Sequence, residues 1–121
     1  MQLAGGLLTF IIGHFFITAH PSTASSWSVV WGEFTGAAIL GFGIASTFYQ
    51  RLPSAIKGGV IGGSLLLGLL IATPFSNAIL NPAIALGIGS FTFLYILSPI
   101  AGVIGGMQLV KLLHSKITEE K

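Results

Sequence analysis

The tripeptide Asn81-Pro82-Ala83 combines residue types that mark a helix start within an otherwise apolar stretch. Asn is a favoured N-cap residue and Pro is favoured at the first helical position, so we expect a helix from Pro82 to about Gly89. Its roughly eight residues would span only about 12 Å. In a membrane core about 30 Å thick, such a helix would end at mid-depth, with unpaired N–H groups and a positive dipole end.

Backbone polar groups at that depth are tolerated only inside protein or beside a water-filled cavity. The tripeptide therefore indicates a polar path through a membrane. An ordinary helix cap in a loop outside the membrane would use the same three residues, so both interpretations stay open on this motif alone.

Few other side chains offer chemistry. Glu33 is the only acidic residue before the C-terminal tail. An ionisable residue within an apolar span is a functional hypothesis by default, with a position at the membrane surface as the alternative. His14 and His20 lie six residues apart and so on different helix faces, which favours polar packing over a pH gate or a metal site. The sequence has no cysteine, no carboxylate pair, no Ser-His-Asp set and no phosphate-binding loop, so we expect no enzyme, metal site or cofactor.

The composition indicates which solvent surrounds the chain. Of its 121 residues, 53% are hydrophobic and only 7% are charged, and the mean hydropathy is +0.93. Soluble proteins carry about 25% charged residues. The formal net charge is only +2, and no basic patch alternates with aromatic residues, so we expect a lipid bilayer and not a nucleic acid as the partner.

Apolar runs long enough to cross a membrane are separated by charged residues, prolines and polar clusters. Residues 74–90 are too short for a span with its turns and too apolar for a solvated loop, which predicts a re-entrant segment. The expected fold is an all-α integral membrane protein, one domain over residues 1–121, with four transmembrane helices and one re-entrant half-helix. The four spans are expected at about residues 2–19, 27–49, 54–72 and 91–113.

Within these spans, several glycine pairs have the small-xxx-small spacing that lets membrane helices pack closely. They indicate architecture and carry no information about a substrate. The pairs are Gly58/Gly62, Gly59/Gly63 and Gly102/Gly106.

The basic residues predict the topology through the positive-inside rule. They occur only around the second-to-third connection and at or beyond the C-terminal end of the last span, two spans apart, which places both groups and the C-terminus in the cytoplasm. A cleaved signal peptide is the alternative for residues 1–19, but no Lys or Arg precedes this apolar stretch. The basic residues are Arg51, Lys57, Lys111, Lys116 and Lys121.

The chain resembles the major intrinsic protein family, the aquaporins and glycerol facilitators, over essentially its whole length. Asn81-Pro82-Ala83 matches the family's Asn-Pro-Ala box. The matches correspond to family helices three to six, so the resemblance implies an aquaporin-like fold whose first repeat is largely missing. The further matching segments are Gln2–Gly6, Trp31–Gly36, Gly68, Gly87 and Ser98–Gly102.

The resemblance implies a channel in a plasma membrane that passes water or small uncharged solutes and excludes protons. Asn81 would donate its amide hydrogens to a passing oxygen, and Glu33 would accept hydrogen bonds from the loop backbone and so brace the half-helix. A homotetramer is implied for the complete protein. The acceptor ladder of the outer pore would consist of the backbone carbonyls of Asn77, Ala78, Ile79 and Leu80.

Family members have two inverted repeats, each with its own Asn-Pro-Ala box, and only one box is present here. The first repeat could belong to the same, longer chain or to a second polypeptide, or the chain could pair with itself. The competing interpretation is a non-conducting assembly subunit or a half-transporter with a discontinuous helix.

The residues at the expected constriction depart from the family pattern. Ile84 occupies the position where an Arg commonly follows the box, and Leu69 occupies the position of a His that is common on the fifth helix. Ala85 occupies the position of the Asp that is typical of glycerol channels. A constriction of Ile84 and Leu69 could be a hydrophobic slot for a small neutral solute or gas, a leaky water pore, or a gate that closes by dewetting.

Overall fold

A computed structural model describes Ile11, residues 27–89 and residues 92–119 of the protein. All regular secondary structure within these residues is helical, which confirms the all-α prediction for the described part of the chain. The expected first span at residues 2–19 lies outside the described residues apart from Ile11, as do His14 and His20. The helices are α1 (Trp27–Tyr49), α2 (Ser54–Ala72), α3 (Pro82–Gly87) and α4 (Phe93–Glu119).

Helices α1, α2 and α4 are long and apolar enough to cross a membrane. Their 23, 19 and 27 residues correspond to lengths of about 35, 29 and 40 Å. The protein is therefore a helical membrane protein. Helix α4 ends at Glu119, beyond the predicted end of the span near Leu113. The reason is that hydropathy detects the lipid boundary, whereas helical hydrogen bonds continue past it.

Helix α1 packs against both α2 and α4. Its contact with α4 is made backbone to backbone, because a Cβ atom added at Gly102 would overlap the Phe34 carbonyl oxygen. A Cβ atom at Gly106 would overlap the Ala38 carbonyl oxygen in the same way. The Gly102/Gly106 pair therefore performs the packing role that its spacing predicts.

The contact between α1 and α2 is equally close at two points. A Cβ atom added at Gly43 would overlap the Ser64 side chain, and the second point is Gly36. A Cβ atom added at Gly36 would lie 2.7 Å from the Gly68 carbonyl oxygen and 2.6 Å from the Leu80 Cδ2 atom. Elsewhere α2 packs loosely, since only Gly68 and Ala72 of its residues are buried. The α1–α2 contact thus also anchors the side chain of Leu80, from the segment that leads to α3.

The basic end of the molecule is formed by the α1–α2 turn and the C-terminal part of α4. The His114 ring lies 5.0 Å from the Tyr49 ring, and the Lys57 ammonium lies 5.5 Å from the centre of the Phe48 ring. Arg51 adopts a positive φ of 51° in the turn. The assignment of this end to the cytoplasm stays a prediction.

Candidate functional site

The carboxyl group of Glu33 is the centre of the candidate site. Glu33 belongs to α1 and is 0% exposed. It accepts three hydrogen bonds, from the Ser76 hydroxyl to Oε1 at 2.6 Å, from the Ile79 N–H to Oε1 at 3.0 Å and from the Leu80 N–H to Oε2 at 2.6 Å. Burial of a carboxyl group costs free energy unless donors surround it, and these three donors satisfy it.

The neighbouring Gly32 explains how the segment after α2 reaches Glu33. A Cβ atom at Gly32 would lie 2.9 Å from Phe75 Cβ and 3.2 Å from both the Ala72 carbonyl oxygen and Ser76 Oγ. The turn itself is closed by hydrogen bonds from the Phe75 and Ser76 N–H groups to the Ala72 carbonyl, both 2.9 Å long. The absence of a side chain at Gly32 therefore lets the turn lie directly against α1.

Two further side chains hold the same segment. The Ala78 N–H donates to Ser76 Oγ at 2.9 Å, and the Asn77 N–H donates to the Tyr95 hydroxyl at 3.3 Å. Tyr95 belongs to α4 and is 0% exposed. Together with Glu33, these groups bond four consecutive backbone N–H groups, those of residues 77–80. We call Glu33, Ser76 and Tyr95 the brace.

The sequence pattern predicts a role for Glu33 but not for Ser76 or Tyr95. A Tyr in an apolar helix was one available signal, because a buried Tyr hydroxyl normally has a hydrogen-bond partner. The position of Ser76 was a second signal, because Ser side chains often accept a hydrogen bond from the backbone N–H two residues later in the chain. Neither signal identifies the partner without the fold.

The braced segment has an unusual backbone. Ala78 and Leu80 adopt positive φ angles of 49° and 51°, a conformation that costs a non-glycine residue about 1–2 kcal/mol. In a trans peptide the C=O group points opposite to the N–H of the next residue. The brace therefore directs the carbonyls of Asn77, Ala78 and Ile79 away from its own side of the segment. The Leu80 carbonyl belongs to the peptide that links Leu80 to Asn81, and the brace does not bond the N–H group of that peptide.

These carbonyls have no partner in the part of the chain that the structure describes. The backbone and side-chain hydrogen bonds found among residues 27–89 and 92–119 end on none of the carbonyl oxygens of residues 77–80. Buried or membrane-embedded carbonyls need hydrogen-bond donors. The segment therefore presents acceptor groups whose donors come from outside these residues.

Helix α3 begins at Pro82, where the tripeptide predicts a helix start. Asn81 is its N-cap, with φ −151° and ψ 120°, and the Asn81 Oδ1 atom accepts a hydrogen bond of 2.9 Å from the Ala83 N–H. The helix ends at Gly87 rather than near Gly89, because Gly89 takes a φ of 74°. Its six residues span about 9 Å, too little to cross a membrane.

The two residues of the expected constriction have different surroundings. Ile84 on α3 is 51% exposed, whereas Leu69 on α2 is partly buried. The adjacent Ala83 and Ala85 are both buried. A constriction formed by Ile84 and Leu69 therefore stays a prediction. Among the described residues, no group of three His, Asp or Glu side chains is placed to hold a metal ion.

Comparison with known proteins finds a similarity to an aquaporin. The chain is 31% identical over 110 residues to "Aquaporin NIP3-1" of Arabidopsis thaliana. The match covers 85% of this chain but 34% of that protein, so the chain spans about a third of the length of the curated relative. No protein-family model matches the chain, and no solved structure matches it. The similarity supports the resemblance of this chain to part of an aquaporin.

Proposed function

We propose that the chain is the second half of an aquaporin-type channel, which passes water or small uncharged solutes across a membrane and excludes protons. The braced segment carries the proposal. Four consecutive N–H groups bond to Glu33, Ser76 and Tyr95, so the opposite carbonyls are turned outward as a row of acceptors. This row leads directly to the N-terminus of a helix too short to cross a membrane.

In this proposal, water moves along the carbonyls of Asn77, Ala78, Ile79 and Leu80 and then meets the start of α3. The bond from the Ala83 N–H to Asn81 Oδ1 fixes the orientation of the Asn81 amide, whose NH₂ group is the donor for a passing oxygen. A donor and a positive helix end make the central water an acceptor, which interrupts proton relay and repels cations. Ile84 and Leu69 form an apolar constriction that favours small neutral solutes.

A complete path needs a first half, with its own Asn-Pro-Ala box, from the same longer chain, from a second polypeptide or from a second copy. We use the name conducting assembly for this chain in combination with the polypeptide that supplies the first half. We propose a homotetramer of complete subunits in the plasma membrane, with the C-terminus in the cytoplasm. No enzymatic step is part of the proposal.

Osmotic water permeability of proteoliposomes that contain the conducting assembly tests the proposal. We expect a permeability well above that of protein-free vesicles, and an approximately tenfold or larger loss in Asn81→Asp, because a charged acceptor replaces a donor in the path. Gln50→Glu, at the exposed α1–α2 turn, is the matched control and should conduct normally. An intact assembly that conducts no better than lipid would instead support a non-conducting assembly subunit.

A further inference from the structure

Glu33 accounts for only half of the backbone N–H groups of the braced segment. It accepts from Ile79 and Leu80, the two residues nearest to α3. The N–H groups of Asn77 and Ala78, which lie at the start of the segment, bond to Tyr95 and Ser76 instead. A role for Glu33 alone therefore leaves the direction of the first two peptide groups unexplained.

Ser76 couples Glu33 to the Ala78 peptide. Its Oγ atom donates to Glu33 Oε1 at 2.6 Å and accepts from the Ala78 N–H at 2.9 Å, and the Ala72 carbonyl is a more distant second acceptor at 3.4 Å. A hydroxyl group has one proton and two lone pairs. Because the short bond to Glu33 uses the proton, a lone pair faces Ala78, whose φ is positive.

Tyr95 connects the segment to a different helix. Glu33 and Gly32 hold it against α1, whereas the Tyr95 hydroxyl reaches it from α4 and accepts from the Asn77 N–H at 3.3 Å. The ring of Tyr95 is completely buried in the apolar cluster with Val29, Ile79 and Ala85. A side chain held so firmly at its ring has little freedom at its hydroxyl, so it fixes the position of the Asn77 N–H.

We infer that Ser76 and Tyr95 are positioning residues for the permeation path. Tyr95 orients the peptide between Ser76 and Asn77, and Ser76 orients the peptide between Asn77 and Ala78. Ser76 thereby sets the direction of the Asn77 carbonyl, the first of the proposed acceptor row, and Tyr95 sets that of the Ser76 carbonyl, which immediately precedes the row. This inference rests on the proposed function for the identity of the path, but the positioning itself does not depend on conduction.

Amide hydrogen exchange of the conducting assembly in lipid nanodiscs tests the positioning. Loss of a hydrogen bond in Ser76→Ala should raise exchange at the Ala78 amide about fivefold, and Tyr95→Phe should do the same at the Asn77 amide. Ser76→Thr keeps the hydroxyl and should restore protection. The matched controls are Ser46→Ala, whose hydroxyl bonds only within α1, and Tyr49→Phe, at the basic end. Unchanged exchange in Ser76→Ala and Tyr95→Phe would overturn the inference.

Flux measurements test the effect on the path. At equal amounts of folded assembly, Ser76→Ala and Tyr95→Phe should lower water permeability several-fold and change the ratio of water to glycerol permeability, and Ser76→Thr should restore both. If the wild-type assembly conducts and neither its water permeability nor its ratio of water to glycerol permeability changes in Ser76→Ala and Tyr95→Phe, the inference is overturned. If the wild-type assembly conducts nothing while the variants still expose the Asn77 and Ala78 amides, the positioning stands and the proposed function fails.

Discussion

The glycines on the two sides of α2 lie in opposite environments. On the packed side, Gly68 lies against Gly36 of α1 at backbone distance. On the open side, no atom of the described residues, apart from the adjoining residues and the nearby backbone of α2, lies within 4 Å of a Cβ atom added at any of the four glycines. The comparison teaches that glycine spacing indicates the capacity for close packing, whereas only the fold determines which glycines use it. The open-side glycines are Gly58, Gly59, Gly62 and Gly63.

The packed side also contains the brace. Helix α1 is the shared partner of α2 and α4, and Glu33 lies on it beside Gly32 and three residues before Gly36. Close helix approach and buried hydrogen bonds therefore occur in the same region. Variants on the packed side should be costly and variants on the open side mild.

The largest effect is expected for Gly106→Leu. A Cβ atom there would overlap the Ala38 carbonyl and lie 2.8 Å from the Phe42 nitrogen, so α1 and α4 would have to separate. We expect a loss of about 3 kcal/mol or more in the free energy of unfolding. Denaturation by SDS in mixed micelles measures it. A loss no larger than that of Gly59→Leu on the open side of α2 would contradict the distinction between glycines packed against α1 and glycines on the open side.

Glu33→Gln should have the next largest effect. The amide retains one acceptor oxygen but presents an NH₂ group toward the N–H groups of Ile79 and Leu80, so at least one buried donor loses its partner. An unpaired buried group costs about 1–3 kcal/mol. The same unfolding assay measures this loss, and exchange at the Ile79 and Leu80 amides localises it. Full stability with protected amides would show that the carboxyl group does not hold the segment.

A smaller effect, of opposite sign, is expected for Ala78→Gly. Glycine adopts the positive φ of this position without strain, a gain of about 1 kcal/mol that is partly offset by the greater entropy of the unfolded chain. We therefore expect unchanged or slightly raised stability. Ala85→Gly is the control within α3, where glycine should destabilise by about 0.5–1 kcal/mol. Equal losses in both variants would argue against the left-handed conformation at Ala78.

The smallest effect is expected for Gly59→Ala. No neighbour among residues 27–89 and 92–119 obstructs the added methyl group, and alanine is the better helix former by about 0.8–1 kcal/mol. The chain in micelles should be equally stable or slightly more stable. Size-exclusion chromatography of the conducting assembly then shows whether the added methyl group disturbs subunit association. A destabilised chain in micelles would mean that the open side has an intramolecular neighbour.

Parts of this architecture could be predicted because they depend on local sequence. The apolar runs predicted the residue ranges of α1 and α2, and the Asn81-Pro82 cap predicted the start of α3, because solvent and capping act over a few neighbouring residues. The end of α4 differed because helical hydrogen bonding does not stop at the lipid boundary.

The brace was predictable only in part. A lone Glu in an apolar span needs buried donors, which is why Glu33 could be identified, together with the loop backbone as its partner. Ser76 and Tyr95 could not be identified, because their partners are backbone N–H groups whose availability depends on the positive φ angles of Ala78 and Leu80. Those angles are imposed by tertiary contacts and oppose the local preference of Ala and Leu.

We propose that the carbonyls opposite the brace lead water, but not protons, to Asn81. The most direct test measures osmotic water permeability and proton flux on the same proteoliposomes of the conducting assembly, with a pH-sensitive dye enclosed. We expect rapid water flow with a proton leak equal to that of protein-free vesicles. Water permeability at the level of lipid alone, or proton flow that accompanies water, would contradict it.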